Sequence, residues 1–496
     1  MKKSALSAIS WVALLTLIAK GLGMVRDILQ ARAFGTTADV DMFTAASNCT
    51  IYLFTTAAYA LCLAAVPIFS QKLTRDRDEA FRAADNLISI TVLMGMAAAA
   101  LMAAASGFGL LERAAGASGA AFRQYAAVMA LTLPLIVLTY LSMALFQAMG
   151  HYSLQGSLSL LYNIVLCAVL LFAGSHMSLG VFAVISSAAW ALQLAMTLPY
   201  LVKERYRFHV RFDFRAPYLR LYVRTAVVTA FTTAIFLFCY LLDTQMATSM
   251  GEGVTAAFYY ADKLFTPVTT TLIYSIGAVM FPKWSEKYSS MEDGAYRDYV
   301  SGVVENTVLL LLPLSALFSV FGVPIIRVLF EGGSFDAGSS DLTGRVFACY
   351  ALGMIGFALL DLMAKACYAM HNTRLPLIVN GGVLAGNCLL NLVLLRLRPS
   401  PGALAAGTAL VMTLGGAALF AVFMRGRMGQ ALHPLRLVRG VVLAALLYAG
   451  LSAARGMLVG AGDSKLMLVV KCGALGLAGL AAYLVLAGIR PPKHAG

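Results

Sequence analysis

Long apolar stretches separated by short charged segments dominate the chain. Of its 496 residues, 60% are hydrophobic and 12% are charged, a balance that is too apolar for a soluble globular domain. The stretches are about 20 residues or longer, the length that an α-helix needs to cross a bilayer, whereas barrel strands would be shorter and alternate in polarity. Helices also satisfy their own backbone hydrogen bonds in lipid. The sequence therefore predicts an all-α polytopic membrane protein.

About fourteen apolar stretches are long enough to span a membrane. They are centred near Leu17, Leu53, Met96, Leu131, Leu166, Ala189, Thr229, Leu272, Leu311, Gly356, Leu384, Met412, Leu443 and Leu475. Basic residues are concentrated after the second span, between Lys72 and Arg82, and after the sixth, between Lys203 and Arg220. Loops on the other side, such as Gly174 to Ser178, contain neither Lys nor Arg. This asymmetry predicts that both termini are cytoplasmic.

The net charge of +14 belongs mainly to these membrane-flanking loops. Its first role is therefore to anchor the helices, and it indicates membrane lipids with anionic headgroups as neighbours. The distribution does not favour a nucleic-acid partner. The first span has no convincing cleavage site and is predicted to be retained. The eight cysteines show no C-x-x-C spacing, which favours packing thiols.

Two echoes along the chain indicate an internal repeat. Pro67 to Lys72 and Pro282 to Lys287 both read P-x-x-S-x-K, and Ala148-Met149-Gly150-His151 is echoed by Ala369-Met370-His371. Helix-end chemistry shared by unrelated segments is the alternative. A duplication predicts two six-helix lobes around a central cavity, with the substrate site where the repeats meet. The predicted divisions are 1–205, 206–430 and 431–496, the last holding two additional helices.

Charged residues inside the apolar stretches are the strongest indication of function. Lys20, Arg26 and Asp27 lie in the first span, and Asp262 and Lys263 lie side by side in the eighth. A charge at the bilayer centre costs about 2.5–3.5 kcal/mol on insertion scales, so such residues usually face a protein interior or an aqueous cavity. At 100° per residue, Lys20 and Asp27 share nearly the same helix face.

We interpret Lys20, Arg26 and Lys263 as a cationic site for an anionic headgroup such as a diphosphate. The alternative is mutual pairing with Asp27 and Asp262, which would only position helices. Buried ion pairs are weak evidence for a stabilising role, because the loss of hydration can exceed the Coulombic gain.

Five other charged residues have competing structural explanations. Asp39 could cap a helix, and Arg32 could reach the membrane interface by extending its long side chain. Asp361 and Lys365 are four residues apart, which is typical of a helical ion pair. Arg374 lies at a predicted cytoplasmic end and could act as an anchor.

The sequence contains none of the common nucleotide-loop, zinc-protease or serine-hydrolase motifs. We therefore predict that the chain is not an enzyme and needs no metal or cofactor. A membrane glycosyltransferase is the enzymatic alternative, but it would need acidic or basic catalytic groups in a substantial loop, whereas the longest polar loops look like basic surface.

Six short segments along the chain carry a recognisable pattern. They are Lys20-Gly-Leu-Gly-Met-Val-Arg26-Asp27, Ala31-Arg32-Ala-Phe34-Gly35, Asp41-Met-Phe43, Tyr260-Ala-Asp262-Lys263, Phe330-Glu-Gly-Gly-Ser-Phe335 and His371-Asn-Thr-Arg374-Leu-Pro376. These segments resemble the MurJ (MviN) family of lipid II flippases, within the multidrug/oligosaccharidyl-lipid/polysaccharide exporter superfamily. The first helix of that family typically reads SR-x-LG-x-x-RD followed by A-x-x-FG, and its eighth carries YADR. The resemblance covers nearly the whole length and the fourteen-helix plan.

By that resemblance, Arg26, Asp27, Asp41, Asp262 and Lys263 are central-cavity residues, with Lys20 in place of an arginine. The resemblance also implies a groove for the lipid tail at residues 431–496. One departure is clear, since Ile51 to Ala58 replaces the family's RR-x-x-x-EG segment of span two. Lysines for arginines keep the charge but lose the planar fork that suits phosphate oxygens.

The implied function is flipping of lipid II, an undecaprenyl-diphosphate-linked glycan, across a bacterial cytoplasmic membrane by alternating access. The expected driving force is the membrane potential or an ion gradient. Expected partners are this glycan lipid, membrane lipids and proteins of cell-wall synthesis. The alternatives are a flippase for another polyprenyl-diphosphate oligosaccharide, an exporter from another branch of the superfamily, and a non-transporting membrane scaffold of the same fold.

Overall fold

Long helices follow one another along the chain, as the apolar stretches predict. The computed structural model describes residues 2–115, 119–151, 153–174, 176–370, 372–397, 399–424, 434–460 and 462–487. His371 of the predicted repeat and the predicted division at residue 430 lie outside the described residues. By their internal packing the residues form two units, which we call the N-terminal unit (residues 1–256 and Gly333–Phe335) and the C-terminal unit (residues 257–332 and 336–496).

The N-terminal unit contains the first eleven helices and the start of the twelfth. These are α1 (Lys2–Phe34), α2 (Ala38–Ser47), α3 (Leu53–Leu73), α4 (Arg77–Gly107), α5 (Leu110–Ala115), α6 (Ala120–Ala130), α7 (Leu133–Ala148), α8 (Ser153–Ala173), α9 (Leu179–Ala195), α10 (Leu198–Lys203), α11 (Pro217–Ala247) and α12 (Val254–Ser290). Helix α1 packs on α8, α3 packs on α7 and α11, and α4 packs on α7.

The C-terminal unit takes α12 from residue 257 onward and the helices that follow it. These are α13 (Asp293–Val320), α14 (Gly322–Leu329), α15 (Ala337–Leu352), α16 (Met354–Ala369), α17 (Arg374–Leu397), α18 (Pro401–Met424), α19 (Pro434–Leu458) and α20 (Lys465–Ala487). Helix α18 packs on α15, α16 and α17, and α19 lies between α13 and α20. The boundaries of the predicted lobes follow from the order of the spans in the sequence, and they stay a prediction.

Nine helical segments within the described residues are long and apolar enough to cross a membrane. The bent pair α15 and α16 makes a tenth when its two helices are taken as one span. The chain is therefore a multi-pass membrane protein, and the all-α prediction is confirmed. The predicted number of fourteen spans is not confirmed by this criterion.

Polar side chains begin several helices by binding backbone N–H groups of the first turn. Thr37 accepts from Val40 at the start of α2, and Asp76 accepts from Asp78 and Glu79 at the start of α4. Such caps satisfy donors that have no partner within the helix. The starts of these two helices are therefore encoded locally, by the residue that precedes the first turn.

The second span is interrupted by a π-helical turn at Asn48–Tyr52, between α2 and α3. The buried Asn48 side chain donates to Thr244 Oγ1 of α11 at 3.2 Å. Single π-helical turns inside α-helices are often found at functional sites. The turn lies just before and overlaps Ile51 to Ala58, the segment that departs from the family pattern.

Close backbone packing holds α16 against α18. A methyl group added at Gly356 would lie 2.4 Å from the backbone nitrogen of Thr413, and one added at Gly416 would lie 2.6 Å from Cβ of Leu359. Small residues at such contacts let helices approach closely, which is a main source of association in lipid. The 43° bend between α15 and α16 falls at Gly353, next to this contact.

Candidate substrate-binding residues

Arg26 is held in place by three side chains of the N-terminal unit. Its guanidinium lies 2.6 Å from Asp27 Oδ1 and 3.1 Å from Asn163 Oδ1, and its Cζ lies 5.6 Å from the centre of the Tyr162 ring. Asp27 is buried, whereas Arg26 is half-buried. The pairing of Arg26 with Asp27, which was the alternative to a cationic site, is therefore present. An arginine fixed in this way can present its charge with little loss of side-chain entropy on binding an anion.

Helix α8 contacts α1 through Asn163, whose side-chain amide lies next to Gly23. A methyl group added at Gly23 would lie 3.5 Å from Nδ2 of Asn163, and that amide nitrogen donates to the Ala19 carbonyl at 3.3 Å. Asn163 therefore bridges two turns of α1. Lys20 lies on the same helix with an exposed side chain.

Sequence reasoning missed Tyr162 and Asn163. Both lie in α8, whose apolar part runs from Leu158 to Ala173. Two polar side chains in the middle of that stretch were the available signal. Neither side chain is charged at neutral pH, so neither stands out from the sequence as the charged residues of the first span do.

Asp41 binds the beginning of another helix of the N-terminal unit. Its carboxylate accepts the backbone N–H groups of Gly253 at 2.6 Å and Ala256 at 2.7 Å, at the start of α12. Negative charge at a helix N-terminus is stabilised by the unpaired N–H groups and by the helix dipole. In this structure Asp41 is therefore a buried helix-capping residue.

The alternative that Asp39 caps a helix is wrong for its own helix, α2. The N-cap of α2 is Thr37, and Asp39 lies in the first turn, where it accepts a hydrogen bond of 2.8 Å from the Tyr125 hydroxyl. The cap falls on Thr37 because its backbone is extended and its hydroxyl reaches the N–H of Val40.

The end of α1 is bound by a tripeptide distant in sequence. Ser334 donates its backbone N–H to the Arg32 carbonyl at 2.8 Å and its hydroxyl to the Ala33 carbonyl at 3.0 Å. Gly35 and Gly333 both have positive φ, and a methyl group on Gly333 would lie 2.3 Å from the Arg32 oxygen. The backbone of Arg32 thus belongs to a tight joint within the N-terminal unit.

Asp262 and Lys263 lie on α12 in the C-terminal unit. Asp262 is buried and accepts a hydrogen bond of 2.6 Å from Thr266 Oγ1, one turn further along. Lys263 Nζ lies 5.0 Å from the centre of the Tyr259 ring. Thr266 thus binds the acid that precedes the lysine.

Asp361 and Lys365 form the ion pair that their spacing predicts, with both side chains largely shielded. Lys365 extends to α12, since a methyl group added at Gly277 would lie 2.7 Å from its Nζ. Arg374 is exposed and begins α17. Within the described residues, the structure therefore confirms one predicted pair in each unit, and the roles of the other candidates toward a substrate stay predictions.

A further ionic contact, which the sequence does not predict, links α13 to α19. Glu305, which is 2% exposed, lies 3.3 Å from Arg436, and the Arg455 guanidinium donates to the Val320 carbonyl at 2.6 Å. These contacts fasten α19 to the helices before it. Among the described residues, no group of three or more His, Cys, Asp or Glu could hold a metal ion.

Charged groups within the long helices of a multi-pass membrane protein are typical of transporters. The fold is similar to that of a lipid II flippase MurJ in an inward closed conformation, with a TM-score of 0.79 and 15% identity over 95% of this chain and 97% of that chain. It is also similar to a multidrug resistance transporter of the MATE family, with a TM-score of 0.67 and 12% identity over 89% of this chain and 99% of that one.

The family is set by sequence. The family model described as lipid II flippase MurJ matches residues 30–464. A lipid II flippase MurJ of Burkholderia cenocepacia is 25% identical over 77% of this chain and 77% of its own length. A probable lipid II flippase MurJ of Vibrio cholerae is 24% identical over 77% of this chain and 76% of its own length. The chain belongs to the MurJ family of lipid II flippases.

This membership confirms the resemblance that the motifs in spans one and eight indicated. The family is one of transporters rather than of enzymes. Membership in MurJ also separates the chain from the exporters of other branches, with which it shares the fold alone.

Proposed function

We propose that the chain moves lipid II from the inner to the outer leaflet of the bacterial cytoplasmic membrane by alternating access. Membership in the MurJ family over residues 30–464 carries the proposal. The side chains around Arg26 support it, because a flippase for a diphosphate-linked glycan must offer positive charge inside the membrane.

Arg26 is proposed as the main contact of the diphosphate. Its guanidinium has a fixed orientation through Asp27 and Asn163. Charge-assisted hydrogen bonds to phosphate oxygens are among the strongest that a protein forms, and arginine suits them geometrically. Lys20 and Lys263 are proposed as further cations, each acting as a point charge.

Both acidic neighbours have a role in this proposal. Asp27 keeps the charge of Arg26 compensated when no substrate is bound, which lowers the cost of holding an arginine in the membrane. Asp262, bound by Thr266, does the same beside Lys263. When a diphosphate binds, it replaces the carboxylate as the partner of the cation, or it binds the cation beside the carboxylate.

The driving force proposed is the membrane potential, which acts on the net charge that moves when the empty site returns. One elementary charge crossing 100 mV contributes about 2.3 kcal/mol.

Both termini are proposed to be cytoplasmic, from the basic loops near Arg75 and Arg211. A carboxy-terminal fluorescent-protein fusion that stays dark, with an active alkaline phosphatase fusion at the same end, would reverse this orientation.

The decisive experiment replaces the flippase of a bacterial host. The host's own lipid II flippase is depleted while this chain is expressed, and growth and externally accessible lipid II are measured. Rescue by the wild-type chain and its loss in Arg26→Ala are expected. Arg123→Ala is the matched control, because Arg123 is an exposed partner of Glu112 at the surface.

Failure of the wild-type chain, with the protein folded and in the membrane, would contradict lipid II as the substrate. The departure in span two, Ile51 to Ala58, then favours a different polyprenyl-diphosphate glycan. If the chain moves no such lipid but binds proteins of cell-wall synthesis, this result would support the alternative of a non-transporting membrane scaffold.

A further inference from the structure

The segment between α10 and α11 alternates basic and apolar residues, and residues 206–213 lie outside any helix or turn. It reads Arg205-Tyr-Arg-Phe-His-Val-Arg-Phe-Asp-Phe-Arg215. Successive side chains of an extended chain point to opposite faces, so the apolar residues form one row and the charged residues form the other. We call residues 205–215 the alternating segment. All of it belongs to the N-terminal unit.

Buried side chains of α4 fix this segment in one register. The N–H of His209 donates to Asp85 Oδ1 at 3.1 Å and the N–H of Arg211 donates to Ser89 Oγ at 3.0 Å. The N–H of Asp213 donates to Asn86 Oδ1 at 2.6 Å. Three polar side chains of a helix thus take the place of a neighbouring strand, and alternate N–H groups all point toward α4.

The register buries Tyr206 at the start of the apolar row and leaves the later residues of the row largely exposed. Phe208 is 47% exposed, Val210 is 70% exposed and Phe212 is 49% exposed. The Phe212 and Phe214 rings stack with their centroids 6.3 Å apart. Exposing four large apolar side chains in one row to water would be costly, so this row indicates contact with an apolar phase.

A groove runs between this row and the helices beneath it. Its volume is about 350 Å³, and its walls include Phe208, Val210 and Phe212 on one side and Val92 and Met96 of α4 on the other. Helix α4 is one of the apolar segments long enough to cross the membrane. A groove along such a helix is open to the hydrocarbon of the bilayer.

The charged row supplies the complementary half of the surface. Arg205, Arg207, Arg211 and Arg215 are all exposed, and Asp213 is the only acidic residue of the segment. Basic side chains next to an apolar face are typical of segments that lie at the membrane surface. Such residues attract anionic headgroups, and each contributes additional affinity.

We propose that the alternating segment and α4 form a binding site for an anionic phospholipid. One acyl chain lies in the groove against Val210 and Val92, and the phosphate binds the arginines at positions 207 and 211. The lipid belongs to the leaflet that the basic loops face. This site is separate from Arg26 and Asp27, so it does not depend on which lipid the protein transports.

Native mass spectrometry of the full-length protein in detergent tests the binding. Dioleoyl phosphatidylglycerol is the anionic probe, and dioleoyl phosphatidylcholine has the same chains without net charge. We expect tighter binding of phosphatidylglycerol. Arg207→Gln combined with Arg211→Gln should weaken it by roughly tenfold to thirtyfold, as two basic residues near a lipid surface would.

Arg75→Gln combined with Arg82→Gln is the matched control, because it removes two exposed arginines outside the alternating segment, one in the loop before α4 and one in the second turn of α4. An equal loss in this control would overturn the proposal in favour of general surface charge. Displacement of phosphatidylglycerol by inorganic phosphate or an acidic peptide at comparable concentration would also overturn it.

A second measurement reports on the groove itself. Phe212→Trp is reconstituted in vesicles that contain brominated phosphatidylglycerol, and its fluorescence is compared with that of the parent chain, which has three tryptophans. We expect additional quenching from the introduced tryptophan. Unquenched emission from that tryptophan, in a protein with unchanged thermal unfolding, would exclude bilayer contact at this row.

Discussion

Asn163 on α8 accepts a hydrogen bond of 3.1 Å from the guanidinium of Arg26 on α1. The same amide donates to the Ala19 carbonyl, so one uncharged residue orients the cation and ties its helix to α8. Transport should therefore depend on Asn163 as a positioning residue, without any direct contact between its amide and the substrate.

Asn163→Ala is expected to reduce lipid II export at least about tenfold, because a hydrogen bond to a charged group contributes about 1.5–3 kcal/mol. Externally accessible lipid II in the depleted host measures the effect. Ser159→Ala, one turn earlier on α8, is the control. Equal export by both variants would show that Arg26 needs no support from α8.

Removing the Asp41 carboxylate should destabilise the N-terminal unit. Asp41→Ala leaves the N–H groups of Gly253 and Ala256 buried without their acceptor, at a cost of about 1–3 kcal/mol. Thermal unfolding in detergent measures the change. Asp39→Ala should have a smaller effect, because Asp39 is exposed and binds one hydroxyl. A larger effect of Asp39→Ala would contradict the capping role of Asp41.

Glycine is required at position 333. Gly333→Ala places a methyl group 2.3 Å from the Arg32 oxygen at a φ of 58°, so the tripeptide must move away from α1. We expect a clear decrease in unfolding temperature. Gly381→Ala, inside α17 with open space around it, should leave stability unchanged or raise it slightly. Equal effects at the two positions would argue against the joint.

Acid should weaken one loop contact of the N-terminal unit. The hydrogen bond from His151 and the nearby Arg77 outweigh the effect of burial and lower the pKa of Glu204 below its ordinary value. A carboxyl with a lowered pKa stabilises the folded state above its ordinary pKa, and this contribution disappears as the pH falls through the lowered value. Glu204→Gln should therefore lose less stability than the wild-type chain as the pH falls from about 5, just above the ordinary pKa of a glutamate, to about 3, as followed by thermal unfolding. An identical loss would remove Glu204 from the acid response.

The sequence predicted the features that depend on composition and on local spacing. Apolar length indicated the helical membrane architecture, and the four-residue interval of Asp361 and Lys365 indicated their ion pair. The motifs of spans one and eight indicated the family. Each of these follows from residues that are close together in the chain or from a pattern that is read without knowing the packing.

Tertiary contacts decided the remainder. Nothing near Asp41 in sequence indicates that it binds α12 more than 200 positions later. The π-helical turn at Asn48–Tyr52 is accompanied by a hydrogen bond from Asn48 to Thr244 in α11, almost 200 positions later. The sequence predicts only a basic loop for the alternating segment. Its docking cannot be predicted, because it requires three side chains of α4 that lie more than 120 positions earlier.

The tripeptide Gly333–Phe335 has a consequence for protein engineering. It packs with the N-terminal unit, although about 76 residues of the C-terminal unit precede it in the chain. A chimaera that exchanges halves between two relatives at residue 256 would pair the end of one parent's first helix with the other parent's tripeptide. Such hybrids should fold best when Ser334 and its two neighbours come from the same parent as Arg32.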